Sequence, residues 1–183
     1  MLDTALKLFR EQSFDAVTLE MICRESAISK RSFFRYFRDK EALIFPHREE
    51  RLAIFRHFLL DHQQSQSPFD TLRLATQVFG AQHNDNREHL LAQQDVIQSS
   101  PALLAREKEI DRDWEHEIAI AFSARAGNEP KDDLWARVIA GAIMGVVRAT
   151  VNYWFEHDGA GDLAELGLSA LDRVERGFPA RES

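Results

Sequence analysis

The chain has 183 residues, enough for one substantial core or for a small domain joined closely to a larger one. Hydrophobic residues make up 44% and charged residues 29%, which excludes a disordered chain, and only eight Gly and five Pro are spread through it, which favours helices over strands and turns. A formal charge of −7 speaks against a uniformly nucleic-acid-binding surface, because affinity for DNA comes largely from neutralised phosphates.

In chain order, Leu2, Ala5, Leu6, Leu8 and Phe9 recur at helical spacing and predict a first helix over about 2–12, with Phe14 and Val17 following a polar break. The opening Met-Leu-Asp-Thr-Ala lacks the basic and then apolar regions of a signal peptide. Thr18 reads as the N-cap of a short helix through Ser26, with Leu19, Ile22 and Cys23 on its apolar side. Cys23 is the sole cysteine, so an intramolecular disulfide and a multi-cysteine zinc site are excluded, and a reducing cytoplasm is the expected setting. Ser29 caps a third helix running to Phe37, which buries Phe33 and Phe37 at i and i+4 and turns its basic side chains outward. Residues 1–50 carry nine basic and nine acidic side chains, so the acidity belongs to the remainder of the chain. Within residues 30–40, Lys30, Arg31, Arg35, Arg38 and Lys40 face only Asp39.

Asp39 is expected to cap a fourth, longer helix through about His62, kinked or interrupted at Pro46. Ser67-Pro68 and Ser100-Pro101 each place a cap before a proline at the first helical position, predicting helices over about 67–82, 86–98 and from 101 to about 125. Gly127 to Pro130 breaks the last of these. Between Lys131 and His157 apolar residues occupy nearly every side of a predicted helix, which must therefore be covered on more than one face. Its longest charge-free apolar run, Val138 to Val147, is roughly half a bilayer span, so no membrane segment is expected. Gly141 and Gly145, one turn apart, would let another backbone approach. A final amphipathic helix carries Leu163, Leu166, Ala170, Leu171, Val174 and Phe178. These two terminal helices are expected to form a homodimer interface, two from each subunit making a four-helix bundle.

Two short helices joined by a turn of three or four residues, the second polar and basic outside, have the form of a DNA-reading helix-turn-helix. Phe14-Asp15-Ala16-Val17-Thr18, Ile22, Ala27-Ile28-Ser29, Phe33-Phe34-Arg35-Tyr36-Phe37 and Lys40-Glu41-Ala42-Leu43 occur in one order and spacing, and this constellation resembles the TetR family of bacterial regulators. The resemblance implies an all-α fold of about nine helices. A three-helix DNA-binding domain over residues 1–42 would precede a ligand-binding and dimerisation domain over 43–183. It further implies a homodimer on double-stranded operator DNA, acting as a repressor released by a small molecule, with no enzymatic activity, cofactor or metal.

Physics gives each matched residue a task. Thr18 can bring its hydroxyl and a backbone N–H to a phosphate. Ser29, Lys30, Arg31 and Ser32, in the first turn of the third helix, can reach base edges. Arg35, Tyr36 and Lys40 are expected on phosphates. Phe34 stands where the family often has tyrosine, which removes one phosphate hydrogen bond and leaves contact with sugar or a thymine methyl. Ala27 stands where glycine is common, so a left-handed turn there is less comfortable. The chain opens inside the first helix, without the basic residues that often precede it in the family, and operator affinity in this form is expected to be understated.

Enzymatic readings fail on inspection. His116-Glu117 resembles the start of a zinc-protease motif, but Ile120 stands where the second histidine belongs. Asp113 and His116 have carboxylate–histidine metal spacing without a second copy, so the side chains of both motifs, Glu117 included, are expected to face solvent. Phe55, Phe58, Phe79, Leu91, Ile97, Trp114, Ile118, Phe122 and Met144 are candidate linings of an effector cavity for an apolar or amphipathic molecule, with ordinary core packing as the alternative. The run from Pro101 through Leu104, Ala105-Arg106 and Trp114 to Trp154 is similar to the C-terminal domain of mycofactocin-system regulators, which implies an acyl-CoA-like inducer. Such a molecule is expected to reorient the fourth helix about Pro46. A helical small-molecule carrier or interaction module without DNA binding is the alternative function.

Overall fold

The computed structural model describes residues 1–61 and 68–177. Nine α-helices follow one another in the described residues: α1 (Leu2–Gln12), α2 (Leu19–Glu25), α3 (Lys30–Tyr36), α4 (Arg48–Asp61), α5 (Pro68–Asp85), α6 (Arg87–Gln98), α7 (Pro101–Ala126), α8 (Leu134–Glu156) and α9 (Leu163–Glu175). Two of the expected caps are made: the Thr18 hydroxyl accepts from the Met21 N–H at 3.3 Å, and the Ser29 hydroxyl from the Ser32 N–H at 3.0 Å. Ser100 precedes Pro101 as expected but does not cap with its side chain, because its buried hydroxyl has no hydrogen-bond partner among the described residues. Ser67 and Phe178, assigned above to a cap and to the last helix, lie outside the described residues.

The expected fourth helix divides. Asp39 accepts from the Ala42 N–H at 2.9 Å, but what it caps is a 3₁₀ turn over Glu41–Leu43. Pro46 stands after that turn and two residues before α4, so it ends one element instead of kinking another. His47, at φ 55°, takes the left-handed conformation that completes the break.

The described residues form two compact units, the first comprising Met1–Arg51 and Glu88–Ile110, the second Leu52–Arg87 and Asp111–Ser183. The first unit buries Ala5, Phe9, Val17, Ile22 and Phe33 together with Val96, Ile97 and Leu103. The helix-turn-helix therefore borrows part of its core from α6 and the start of α7. Gln93 reinforces this by donating to the Ile44 carbonyl. Trp154, fully buried in the second unit, donates its indole N–H to the Gly161 carbonyl at 3.1 Å.

In that unit α5 and α9 approach closely because each contributes a glycine. A Cβ at Gly80 would lie 2.8 Å from Ala164 Cα, and one at Gly167 would lie 2.7 Å from Thr76 Cγ2. Arg73 of α5 binds Asp172 of α9 at 2.8 Å and also pairs with Glu175. Gly141 and Gly145 do not play the corresponding role within the chain: no atom comes within 3.5 Å of a Cβ built at Gly141, and none within 4 Å at Gly145. α8 buries Ala136, Ala140, Ile143, Met144 and Trp154, yet leaves Leu134 74%, Trp135 71%, Val138 51% and Tyr153 51% exposed. By length and composition alone this helix could cross a membrane. It interrupts its apolar surface with Arg148, which pairs with Asp111 of α7 at 3.2 Å.

Candidate nucleic-acid interface and ligand cluster

α3 is built around Phe33, which is fully buried and packs at a tilt against Phe37 with ring centroids 5.5 Å apart. That anchorage leaves Ser29, Lys30, Arg31, Phe34, Arg35 and Tyr36 exposed, with Ser32 half-buried between them. Phe34 is 56% exposed and packs edge-on against Phe33 at 5.4 Å, so its ring is held in place by the core while its outer edge faces solvent. Arg35 donates to the Tyr36 hydroxyl at 2.7 Å and lies over that ring at 4.6 Å. Both groups keep further donors for an anion.

Both lysines among the expected contacts have partners elsewhere in the first unit. Lys30 of α3 pairs with Glu20 of α2, and this hydrogen bond holds the Glu20 carboxyl below its ordinary range. Lys40 donates to the Phe14 carbonyl at 2.6 Å and the Val17 carbonyl at 2.9 Å, with its ammonium 4.2 Å from the Phe14 ring centroid. Partial burial lowers its pKa, against the opposing pull of Asp15 and Glu41. Thr18 is exposed, and its hydroxyl accepts from the Met21 N–H while also bonding to the Glu20 carboxyl. Ala27, in the turn between α2 and α3, has φ 53° and therefore occupies the left-handed region with a Cβ.

In the second unit Phe55, Ile118 and Met144 are buried, and Phe58, Phe79, Trp114 and Phe122 pack against them half-buried. Phe55 and Trp114 lie 4.5 Å apart by centroid, Phe55 and Phe79 6.0 Å, and Phe79 and Trp114 6.2 Å. Leu91 and Ile97 do not join this cluster. Both belong to the first unit, where Ile97 is a core residue of the helix-turn-helix, because α6 is folded into that unit beyond Arg87. Phe69, which the hydrophobic pattern did not single out, does join it through Phe122 at 6.3 Å.

Glu117 also departs from expectation. Its carboxylate is 5% exposed instead of facing solvent, and Arg56 grips it with Nε at 2.8 Å and Nη2 at 2.5 Å. Burial of the charge is tolerable because a bidentate guanidinium compensates it. No cluster of three or more His, Cys, Asp or Glu suited to a metal occurs among the described residues.

The model of bacterial regulatory proteins of the tetR family matches residues 1–45, and the model of the MftR C-terminal domain matches residues 66–179, more than half of the chain. The chain belongs to the TetR family. Among its relatives is MftR of Mycobacterium tuberculosis, named as a mycofactocin biosynthesis transcriptional regulator. It is 27% identical over 177 residues, covering 96% of this chain and 88% of that protein. The fold is shared with FadR of Thermus thermophilus, a TetR-family repressor solved with lauroyl-CoA. That match has a TM-score of 0.64 and 20% identity, and covers 100% of this chain and 95% of the other. SmeT of Stenotrophomonas maltophilia, solved with triclosan, matches with a TM-score of 0.68 and 18% identity, over 100% of this chain and 93% of the other.

As a TetR-family member the protein is a DNA-binding transcriptional regulator and not an enzyme. The carrier reading therefore gives way. The family assignment also accounts for the positive patch on an acidic chain: cations are concentrated where a helix meets phosphates, and the remainder is free to be acidic. Glu117 was missed because a carboxylate beside a histidine reads as a polar helix face. Its one sequence signal is its place beside Ile118 and one turn from Trp114, on the apolar side of α7.

Proposed function

We propose that the protein is a ligand-responsive repressor acting in the cytoplasm as a homodimer, released from its operator by an apolar or amphipathic molecule with an acyl-CoA-like tail. The observation that carries the reading is α3, whose buried Phe33 presents Arg31, Phe34, Arg35 and Tyr36 together on an exposed face. Ser29, Lys30, Arg31 and Ser32 read base edges, while Thr18, Arg35 and Tyr36 set register on phosphates. DNA contacts come from residues before 43, and ligand and dimer contacts from residues after it. The exposed face of α8, with the helical pair it forms with α9, meets a second copy.

The aromatic cluster supports the ligand reading. Phe55, Phe58, Phe79, Trp114, Ile118, Phe122 and Met144 offer an apolar site whose rings already touch, so a ligand must part them. Such a molecule shifts the equilibrium only by binding the DNA-incompetent arrangement more tightly. Phe55 and Phe58 lie on α4, whose first turn follows the break at Pro46 and His47. Displacing α4 changes the separation of two recognition helices from the roughly 34–36 Å that one turn of duplex requires. The lauroyl-CoA in FadR and triclosan in SmeT, both bound to proteins of this fold, favour such a ligand.

The test is fluorescence anisotropy on duplex from upstream of the protein's own coding sequence. Binding is expected to be salt-sensitive and reversed by lauroyl-CoA but not by CoA alone. Absence of binding to any duplex at about 50 mM salt would sink the regulator mechanism. Release by neither lauroyl-CoA nor triclosan would sink the ligand class.

A further inference from the structure

We propose that Lys40 is a positioning residue for the recognition helix, not a phosphate anchor. The inference rests on the reading of α3 as the base-contacting element. Lys40 follows α3 by four residues and opens the 3₁₀ turn, yet its ammonium reaches back more than twenty residues to the turn between α1 and α2. There it binds the carbonyls of Phe14 and Val17 at 2.6 and 2.9 Å and faces the Phe14 ring at 4.2 Å. An ammonium has three N–H donors, so two are committed and the third shares a partly buried position with an aromatic face.

The geometry has a directional consequence. Each peptide is planar, so holding the Val17 carbonyl fixes the plane of the Val17–Thr18 peptide, where α2 begins. Phe14 and Val17 are buried in the core that also holds Phe33. One cation thus clamps the chain leaving α3 to the chain entering α2, and the orientation of α3 relative to α2 depends on both ends of that clamp. The turn between these two helices is Ser26 to Ser29, where Ala27 is held at φ 53°. A phosphate gripped by this ammonium would have to draw the third N–H away from the Phe14 ring or displace one of the two carbonyls, which would then lose a charge-assisted hydrogen bond.

The test compares Lys40→Met, which keeps the apolar stem, with Lys40→Arg, Arg31→Ala and the Lys40→Met/Arg31→Ala pair. Duplexes selected by the wild-type chain from a random pool serve as the specific probe, and a scrambled duplex as the non-specific one. Lys40→Met is expected to weaken specific binding on the order of tenfold, consistent with hydrogen bonds to a charged group. The slope of log affinity against log salt should stay at the wild-type value, and the ratio of specific to non-specific affinity should fall. The loss caused by Arg31→Ala should shrink in the Lys40→Met background, because a misplaced helix gains little from that side chain. Lys40→Arg, able to donate to both carbonyls, should restore most of the affinity.

A slope reduced by about 0.9 with uniform weakening on both duplexes would show a lost phosphate contact and overturn the proposal. Unchanged affinity with only a lower thermal midpoint would make Lys40 a packing residue and overturn it equally, as would strict additivity with Arg31→Ala. A wild-type chain that enriches no duplex at all defeats the DNA reading itself, and with it any positioning role, an outcome distinct from each of these.

Discussion

α3 and α8 expose apolar or aromatic side chains for different reasons. α3 is seven residues long, is capped by Ser29, and buries one large side chain, Phe33, so that Arg31, Phe34, Arg35 and Tyr36 face solvent. α8 spans 23 residues and is apolar on nearly all sides, but the chain covers only the face that carries Ala136, Ala140, Ile143, Met144 and Trp154. A short helix made by its caps and one anchor is complete within its unit. A long helix with two apolar faces is incomplete until something covers the second, since an exposed apolar surface of this kind marks an interaction site.

The comparison can be broken most severely at the anchor. Phe33→Ala is expected to cost about 3–5 kcal/mol and to abolish DNA binding. All three tryptophans, Trp114, Trp135 and Trp154, lie in the second unit, so the denaturation midpoint read by their emission should stay near wild type. If the Trp transition falls with the first unit, the two regions are not independent. Next in size, Val138→Arg places a charge on the open face of α8, and two-fold symmetry doubles it in a dimer. Sedimentation equilibrium should show dimer dissociation strengthened by at least about tenfold, because like charges at an interface cost several kcal/mol. An unchanged dimer would move the interface off this face.

Smaller effects sharpen the picture of α3. Arg31→Ala should cost about 1–3 kcal/mol on the selected duplex and relax discrimination at one base position, measurable by competition with single-base variants. Ala27→Gly should stabilise the first unit by about 0.5–1 kcal/mol, since it removes left-handed strain at φ 53° but makes the unfolded chain more flexible. A fall in its thermal midpoint would mean that the Ala27 side chain makes a contact worth more than the strain.

The smallest expected effect is a pH dependence of α8. Asp133 caps this helix by accepting from the Ala136 N–H at 2.9 Å, and that bond, followed by one from Asn128, lowers its pKa. A carboxyl with a lower pKa in the folded state contributes stability above its unfolded pKa and loses it as pH falls through the folded value. Stability should therefore decline as pH drops below the ordinary aspartate range. Asp133→Asn, which keeps a cap, should make that decline shallower in urea titrations followed by Trp emission.

Much of this was legible in the residue order. Thr18 and Ser29 announce helix starts because a short polar side chain before an apolar period has one local use, and the structure places caps at both. Pro46 was legible as a disruption but not as an ending, since whether a helix resumes beyond a proline depends on what the flanking turns pack against. Leu91 and Ile97 illustrate the same limit. Their spacing marks an apolar face on α6, but nothing in that spacing says that the face completes the core of the first unit. Lys40 reads as one more cation in a basic cluster, and only a fold that brings the Phe14 and Val17 carbonyls to its ammonium reveals another use.

By itself, then, the sequence determined the helices, the caps at Thr18 and Ser29 and the basic face of α3, because these depend on contacts within a few residues. The tertiary structure decided which cations pair within the protein, which aromatic rings form one cluster, and that Glu117 is buried against Arg56. Those outcomes depend on partners tens of residues away, and a local period records which face is apolar but not what will cover it.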